Sequence, residues 1–185
     1  MKTLYYYTFS SSFDTFTIVW EENDSGLLIK RIFLSDPEQK SEEKVKKHFK
    51  QVNSAISSPI ELLGDKIQGF LNGEDVQFSF ELIDFTICSE IQEIVLKEER
   101  RIPRGWVSTY KRIANHIGLY NGARAVGNAL ARNPFPIIIP CHRAIKSNGD
   151  LGGYQGGITM KRKLLEMEGI EFSSSGQVIT ERIFY

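Results

Sequence analysis

The chain has 185 residues, 41% apolar and 25% charged, the balance of an ordinary globular protein of one domain or two small ones, which excludes disorder, collagen and a coiled coil. No apolar run approaches the roughly 18 residues that span a bilayer, and the stretch behind Lys2 is too short for a signal peptide, so the expectation is no membrane and a cytoplasmic protein, nuclear if eukaryotic. The net charge of zero hides an asymmetry: between Arg100 and Gly149 nine Lys and Arg residues occur without one Asp or Glu, a one-sided placement suited to meeting phosphates.

Residues 3–34 carry aromatic and β-branched residues on both sides of the turn-like Asn23-Asp24-Ser25-Gly26, which reads as a hairpin or small antiparallel sheet. Ser35 as N-cap with Glu38 in the capping-box position predicts a helix start. The following Glu- and Lys-rich segment shows Val45, Phe49, Val52 and Ile56 at helical spacing and ends at Ser57-Ser58-Pro59. A short helix over 60–71 and an alternating strand over 76–82 complete an N-terminal part in which nothing suggests chemistry.

The remainder reads as helices and loops. Residues 86–99 place Ile87, Ile91, Ile94 and Val95 on one helical face, and Ile102-Pro103-Arg104-Gly105 forms a turn. Thr109 caps a helix over 110–117, and a second helix covers 123–132 before Asn133-Pro134 ends it. Two short helices around a glycine-containing turn form a helix-turn-helix pattern, weak on its own. The second helix is rich in small residues and offers few side chains to base edges, which favours close backbone approach over sequence readout.

The chemical feature is Pro140-Cys141-His142-Arg143, where neighbouring positive charge is expected to favour the thiolate. A Cys-His pair alone more often marks a buried structural cysteine, and neighbours on a strand point to opposite faces. Cys88 and Cys141 belong to no C-x-x-C pair, and His48, His116 and His142 are scattered, so neither a metal nor another cofactor is expected.

Five motifs, in order, give these residues a context: Ile-Pro-Arg-Gly at 102–105, Thr-Tyr-Lys-Arg-Ile-Ala at 109–114, Ala-Arg-Ala-Val-Gly-Asn-Ala-Leu at 123–130, Arg-Asn-Pro-Phe-Pro-Ile-Ile-Ile-Pro-Cys-His-Arg-Ala-Ile at 132–145 and Gly-Gly-Tyr-Gln-Gly-Gly at 152–157. The stretch 102–169 resembles the O6-alkylguanine-DNA alkyltransferases, the methylated-DNA-protein-cysteine methyltransferases. The resemblance implies an α+β protein: a small α/β domain with an antiparallel sheet (1–81), a mainly helical domain with a helix-turn-helix (82–171), and a tail (172–185). It implies direct-reversal repair by a methyltransferase acting once as a monomer on double-stranded DNA. An O6-alkylguanine is flipped out of the duplex, where its alkyl group is beyond in-line attack, and the group passes irreversibly to Cys141.

The same resemblance assigns roles. His142 deprotonates Cys141 through water, Glu168 orients His142, Asn133 fixes the turn, and Tyr110 helps rotate the nucleotide and donates to guanine N3. Arg124 enters the base stack, with Tyr110, Ala123, Asn128 and Arg132 meeting DNA. Tyr154, Pro136, Ala144 and Gln155 form the base pocket, and Arg143 supports the site. Gln155 replaces the small hydroxyl residue of many members. Two other classes stay in view: a lesion-binding module, against which Cys141 argues, and a helix-turn-helix regulator, which leaves Pro-Cys-His-Arg unexplained. A cysteine hydrolase is the weaker enzyme alternative, since its nucleophile and histidine usually lie apart.

Overall fold

A computed structural model describes residues 3–23 and 26–185. The chain divides into two units, Met1–Ile87 with Pro134–Ile138, and Cys88–Asn133 with Ile139–Tyr185.

In the first unit β1 (Thr3–Ser11), β2 (Asp14–Asn23) and β3 (Gly26–Leu34) form an antiparallel meander, and β4 (Asn53–Ser54) joins β1 in parallel, giving the order β3-β2-β1-β4. The register pairs Tyr5 with Trp20 and Phe9 with Phe16, and it shifts between Val19 and Trp20 where β2 meets β3. The central strand is buried from Phe16 to Glu21, so both of its faces are covered. On one face Phe9 stacks on Phe16 at 5.1 Å, and α2 (Ser58–Leu71) comes so close at Gly64 that a Cβ there would stand 2.2 Å from the Phe9 ring. On the other, Val45 of α1 (Ser41–His48) packs with Val19 and Phe33, while Thr17 Oγ1 donates to Ser41 Oγ at 2.8 Å. Of the turn expected at 23–26, Asp24 and Ser25 lie outside the described residues, as does Lys2.

Three sequence expectations change here. Helix α1 starts at Ser41 rather than after Ser35, because the local bonds close a turn first: Asp36 Oδ1 accepts from the amides of Glu38 and Gln39, and Ser35 Oγ accepts from Ser41 N. It ends at His48, so the spacing of Phe49, Val52 and Ile56 is not helical, and Ser57-Ser58-Pro59 opens α2 instead of closing α1. Residues 76–82 form no strand. Phe78 packs on Phe70 and Phe80 on Phe85, and Ile83 makes a bridge to Ile29 of the sheet.

The second unit begins with α3 (Glu90–Glu99), capped by Ser89, whose hydroxyl accepts from Gln92 N at 3.3 Å. The expected helix over 86–99 is thus shorter, with residues 85–87 in a separate 3-10 turn. Val95 and Leu96 are buried, whereas Ile87, Ile91 and Ile94 are exposed. Two short strands absent from the sequence reading, β5 (Ser108–Thr109) and β6 (Ala144–Ile145), pair in parallel. Helix α4 (Tyr110–His116) starts where Thr109 Oγ1 accepts from Arg112 N at 3.1 Å, and it packs on α5 (Ala123–Ala131). Gln92 closes the far end of α5, donating to the carbonyls of Ala129 and Arg132 at 3.2 and 3.1 Å. Val107, Ile145, Leu151, Leu165 and Ile170 form a buried cluster beneath α6 (Ile158–Met167). Phe172 and Val178, on the strands β7 (Glu171–Phe172) and β8 (Val178–Ile179), and Ile183 cover it, so residues 172–185 lie within this unit. No helix among the described residues is long and apolar enough to cross a membrane.

Candidate active site

Pro140 lacks an amide proton and directs the chain into a single 3-10 turn, Cys141–Arg143, in which Cys141 N donates to Ile139 O and Arg143 N to Pro140 O, each at 2.8 Å. All three side chains of the turn are buried. Cys141 is 6% exposed, and Asn133, just beyond α5, reaches it: Nδ2 donates to Cys141 Sγ at 3.2 Å and to Ile139 O at 3.1 Å.

Glu168, the C-cap of α6, gathers the other two. Its Oε1 meets His142 Nε2 at 3.0 Å, Arg143 clasps it with Nε and Nη2 at 2.9 and 2.7 Å, and Gly105 N donates to Oε2 at 3.3 Å. Arg143 Nη1 donates to Ile102 O at 2.7 Å, so this guanidinium braces the turn. Burial pushes the Glu168 carboxyl up, yet His142 and Arg143 outweigh it and bring it down from 4.5 to about 2. An ionised Glu168 only accepts, which assigns the imidazole proton to Nε2 and leaves Nδ1 as the basic nitrogen. Burial, the dominant effect, lowers the pKa of His142 against the opposing pull of Glu168 and so favours the neutral ring.

Cys141 departs from the sequence expectation. Burial raises its thiol from 9.0 to about 11, more than the Asn133 bond and the charge of Lys161 bring it down. Arg143 gives its donors to Glu168 and Ile102 and none to the sulfur. The resting group is a thiol that needs a base.

Tyr110, first in α4, is half-buried, and burial raises its hydroxyl to about 12, followed by the charges of Glu99 and Cys141. Gly152, at φ +71, lies against it: a Cβ would stand 2.5 Å from Tyr110 Oη. The rings of Tyr154 and His142 meet edge to face, centroids 6.3 Å apart, with the Tyr154 hydroxyl buried and without a hydrogen-bond partner among the described residues. Ala144 is buried and Gln155 half-buried.

The structure thus holds two hydrogen-bonded pairs on adjacent residues of one turn, Cys141 with Asn133 and His142 with Glu168, with Tyr154 beside His142. Arg124, Asn128 and Arg132 form a separate exposed set, the first two one helical turn apart on α5, with Ala123 half-buried at its start. Pro136 is buried within the segment Pro134–Ile138, which belongs to the first unit. Two residues escaped the sequence reading. Lys161 is fully buried, its Nζ donating to the carbonyls of Ala144 and Leu151 at 2.6 and 2.5 Å and standing 3.5 Å from Tyr110 Oη. Glu99 is also fully buried. Each sits in a charged run, Lys161-Arg162-Lys163 and Glu98-Glu99-Arg100-Arg101, and such runs ordinarily mark a solvated face.

A family model described as the 6-O-methylguanine DNA methyltransferase DNA-binding domain matches residues 90–170. A methylated-DNA–protein-cysteine methyltransferase of Methanothermobacter thermautotrophicus is 48% identical over 117 residues, 62% of this chain and 65% of that protein, so the chain spans just under two thirds of this relative's length. The crystal structure of the Mycobacterium tuberculosis O6-methylguanine methyltransferase is similar with a TM-score of 0.72 and 32% identity, covering 90% of this chain and 93% of that one. The structure of OGT from the same organism in complex with DNA is similar with a TM-score of 0.70 and 32% identity, covering 89% and 92%.

Proposed function

Because the chain belongs to the 6-O-methylguanine DNA methyltransferase family, we propose that it repairs DNA by taking the alkyl group of O6-alkylguanine onto Cys141. The observation that carries this reading is a buried thiol held by Asn133 and followed directly by a histidine whose far nitrogen is fixed by an ionised glutamate. Cys141 gives its proton, through water, to His142 Nδ1, and the charge of Glu168 stabilises the imidazolium that forms. The thiolate attacks the alkyl carbon, a carbon–sulfur bond forms, the bond to O6 breaks, and the electron pair stays on guanine. The Tyr110 hydroxyl faces that charge as a donor toward N3. The thioether has no base-labile bond, so each molecule acts once.

Reaching the alkyl carbon requires the base outside the stack. Tyr154, its buried hydroxyl unpartnered among the described residues, and Tyr110 supply the walls and polar contacts of a pocket for it, with the backbone around Ala144 and Gln155 beside them. Helices α4 and α5 act as the helix-turn-helix, laying α5 along the duplex. The small residues Ala123, Ala125 and Gly127 permit close approach, Arg124 fills the vacated stack, and Asn128, Arg132 and Lys111 meet backbone. Incubation with duplex DNA holding one O6-methylguanine, followed by intact mass and peptide mapping, is expected to give one methyl per protein, on Cys141. Tight lesion binding without a mass change overturns the transfer in favour of lesion recognition alone.

A further inference from the structure

Residues 182–185 run beside the strand that leads into α4 and then reach the far end of that helix. Ile183 makes a parallel bridge to Val107, Val107 N donates to Arg182 O at 3.0 Å, and Phe184 N donates to Val107 O at 2.8 Å. One residue on, Ser108 Oγ donates to Phe184 O at 2.7 Å, so the segment forms an added edge at the start of β5. Tyr185 lies against the other end of α4. Its ring stacks on that of His116, centroids 3.9 Å apart and planes 26° from parallel, and Arg112, one turn before His116, donates to its backbone oxygen. The Tyr185 hydroxyl crosses to α3, its proton shared between Glu98 O at 3.1 Å and Glu98 Oε2 at 3.0 Å. His116 Nε2 stands 3.4 Å from the same Oε2, and Arg101 Nη1 stands 3.2 Å from it. Two stacked rings, one from α4 and one from the segment, thus converge on a single carboxylate of α3.

Helix α4 has seven residues, and a helix so short takes its position from what it packs on rather than from its own stability. Helix α3 serves as a common base: near its start Gln92 closes the far end of α5, and near its end Glu98 receives His116 and Tyr185. We propose that residues 182–185 are a strap that sets α4 for DNA binding, with Tyr185 the positioning residue that fastens the far end of α4 to α3. This rests on the reading of α4 and α5 as a helix-turn-helix. The two ends of α4 then carry different duties. The far end leads into the turn before α5, so loosening it costs affinity for the duplex. The near end, with Tyr110, is held separately by the pairing of β5 with β6 and by the Thr109 cap, so the chemical step survives.

The test compares the whole protein with Tyr185→Ala, Tyr185→Phe and His116→Ala on two readouts: fluorescence anisotropy with undamaged duplex DNA, and the single-turnover rate with saturating O6-methylguanine duplex. Tyr185→Ala is expected to weaken duplex binding about fivefold and to change the saturated rate less than about twofold. Tyr185→Phe keeps the ring over His116 and drops the hydroxyl, and His116→Ala removes the other ring. Each is expected to weaken binding about twofold, with the double variant no weaker than Tyr185→Ala, because both break the same bridge. Hydrogen exchange is expected to quicken in α4 and not in α6. Unchanged affinity overturns the proposal even if the melting temperature falls, since that marks a structural contact alone. A saturated rate that falls as far as the affinity overturns it too, as does exchange that quickens equally in α4 and α6. Tyr185→Phe decides the point where Tyr185→Ala fails to fold. A wild-type protein that binds no duplex overturns the helix-turn-helix reading and the strap with it; duplex binding without methyl transfer overturns the transfer alone and leaves the affinity comparison to judge the strap.

Discussion

Replacing Glu168 by Gln keeps the shape of the site and removes one charge from its middle. In the folded protein that charge answers His142, Arg143 and the Gly105 amide; a glutamine keeps one acceptor oxygen but leaves the buried Arg143 guanidinium without its counter-ion. The folded carboxyl titrates at about 2 against an ordinary 4.5, so its ionised form contributes stability that is complete above pH 4.5 and lost as the pH falls through about 2. At about 1.4 kcal/mol per decade of proton affinity the contribution is about 3 kcal/mol, the size seen when a buried ion is stripped of its partner. Urea unfolding followed by circular dichroism gives the check. Glu168→Gln is expected to be less stable than wild type by about 3 kcal/mol at pH 7, and by about half of that at pH 3, where wild-type Glu168 has begun to lose its advantage. A gap of the same size at pH 7 and pH 3, or one under about 1 kcal/mol at pH 7, would refute the assignment of Glu168 as the ionised centre of the site.

Thr109→Ala removes the acceptor of the Arg112 amide at the start of α4 and is expected to cost about 1 kcal/mol in chemical denaturation, with Thr109→Ser restoring most of it. Gly152→Ala places a methyl 2.5 Å from Tyr110 Oη on a backbone at φ +71; it is expected to lose about 1–2 kcal/mol of stability and to slow methyl transfer at least tenfold in a rapid-quench assay.

The parts of the molecule that announce themselves in the sequence are those where one local signal agrees with the tertiary result. Alternation and aromatic content in 3–34 match a meander whose middle strand is buried on both faces, and Thr109, followed by an apolar pair at Ile113-Ala114, matches the start of α4. Where two local signals compete, the pattern misleads. Ser35 and Glu38 look like a capping box, but Asp36 between them captures the same amides, and the helix waits until Ser41. Phe78 and Phe80 alternate like strand residues yet pack against aromatic rings. At the site, the residue types of Cys141, His142, Asn133 and Glu168 were legible through their motifs, whereas the thiol's environment was not. Proximity to Arg143 in sequence suggested a lowered pKa, but the guanidinium turns to Glu168 and burial governs the sulfur. Glu99 and Lys161 were invisible for the complementary reason, since a buried charge in a charged run has no periodicity to betray it.

Glu168 is also the residue on which α6 stops, and Gly169 behind it adopts φ +80 to turn the chain away. Lys161 lies seven positions earlier, about two turns back on the same face of the helix. The helix is therefore a ruler with two marks, one touching Tyr110 and Ala144, the other His142 and Arg143. One residue inserted between them would swing the second mark by about 100° and carry it about 1.5 Å along the axis. Substitution can wander along the solvent side of α6, but insertion and deletion cannot enter the span from 161 to 168. The two contacts therefore depend on the length between those residues as well as on their identities.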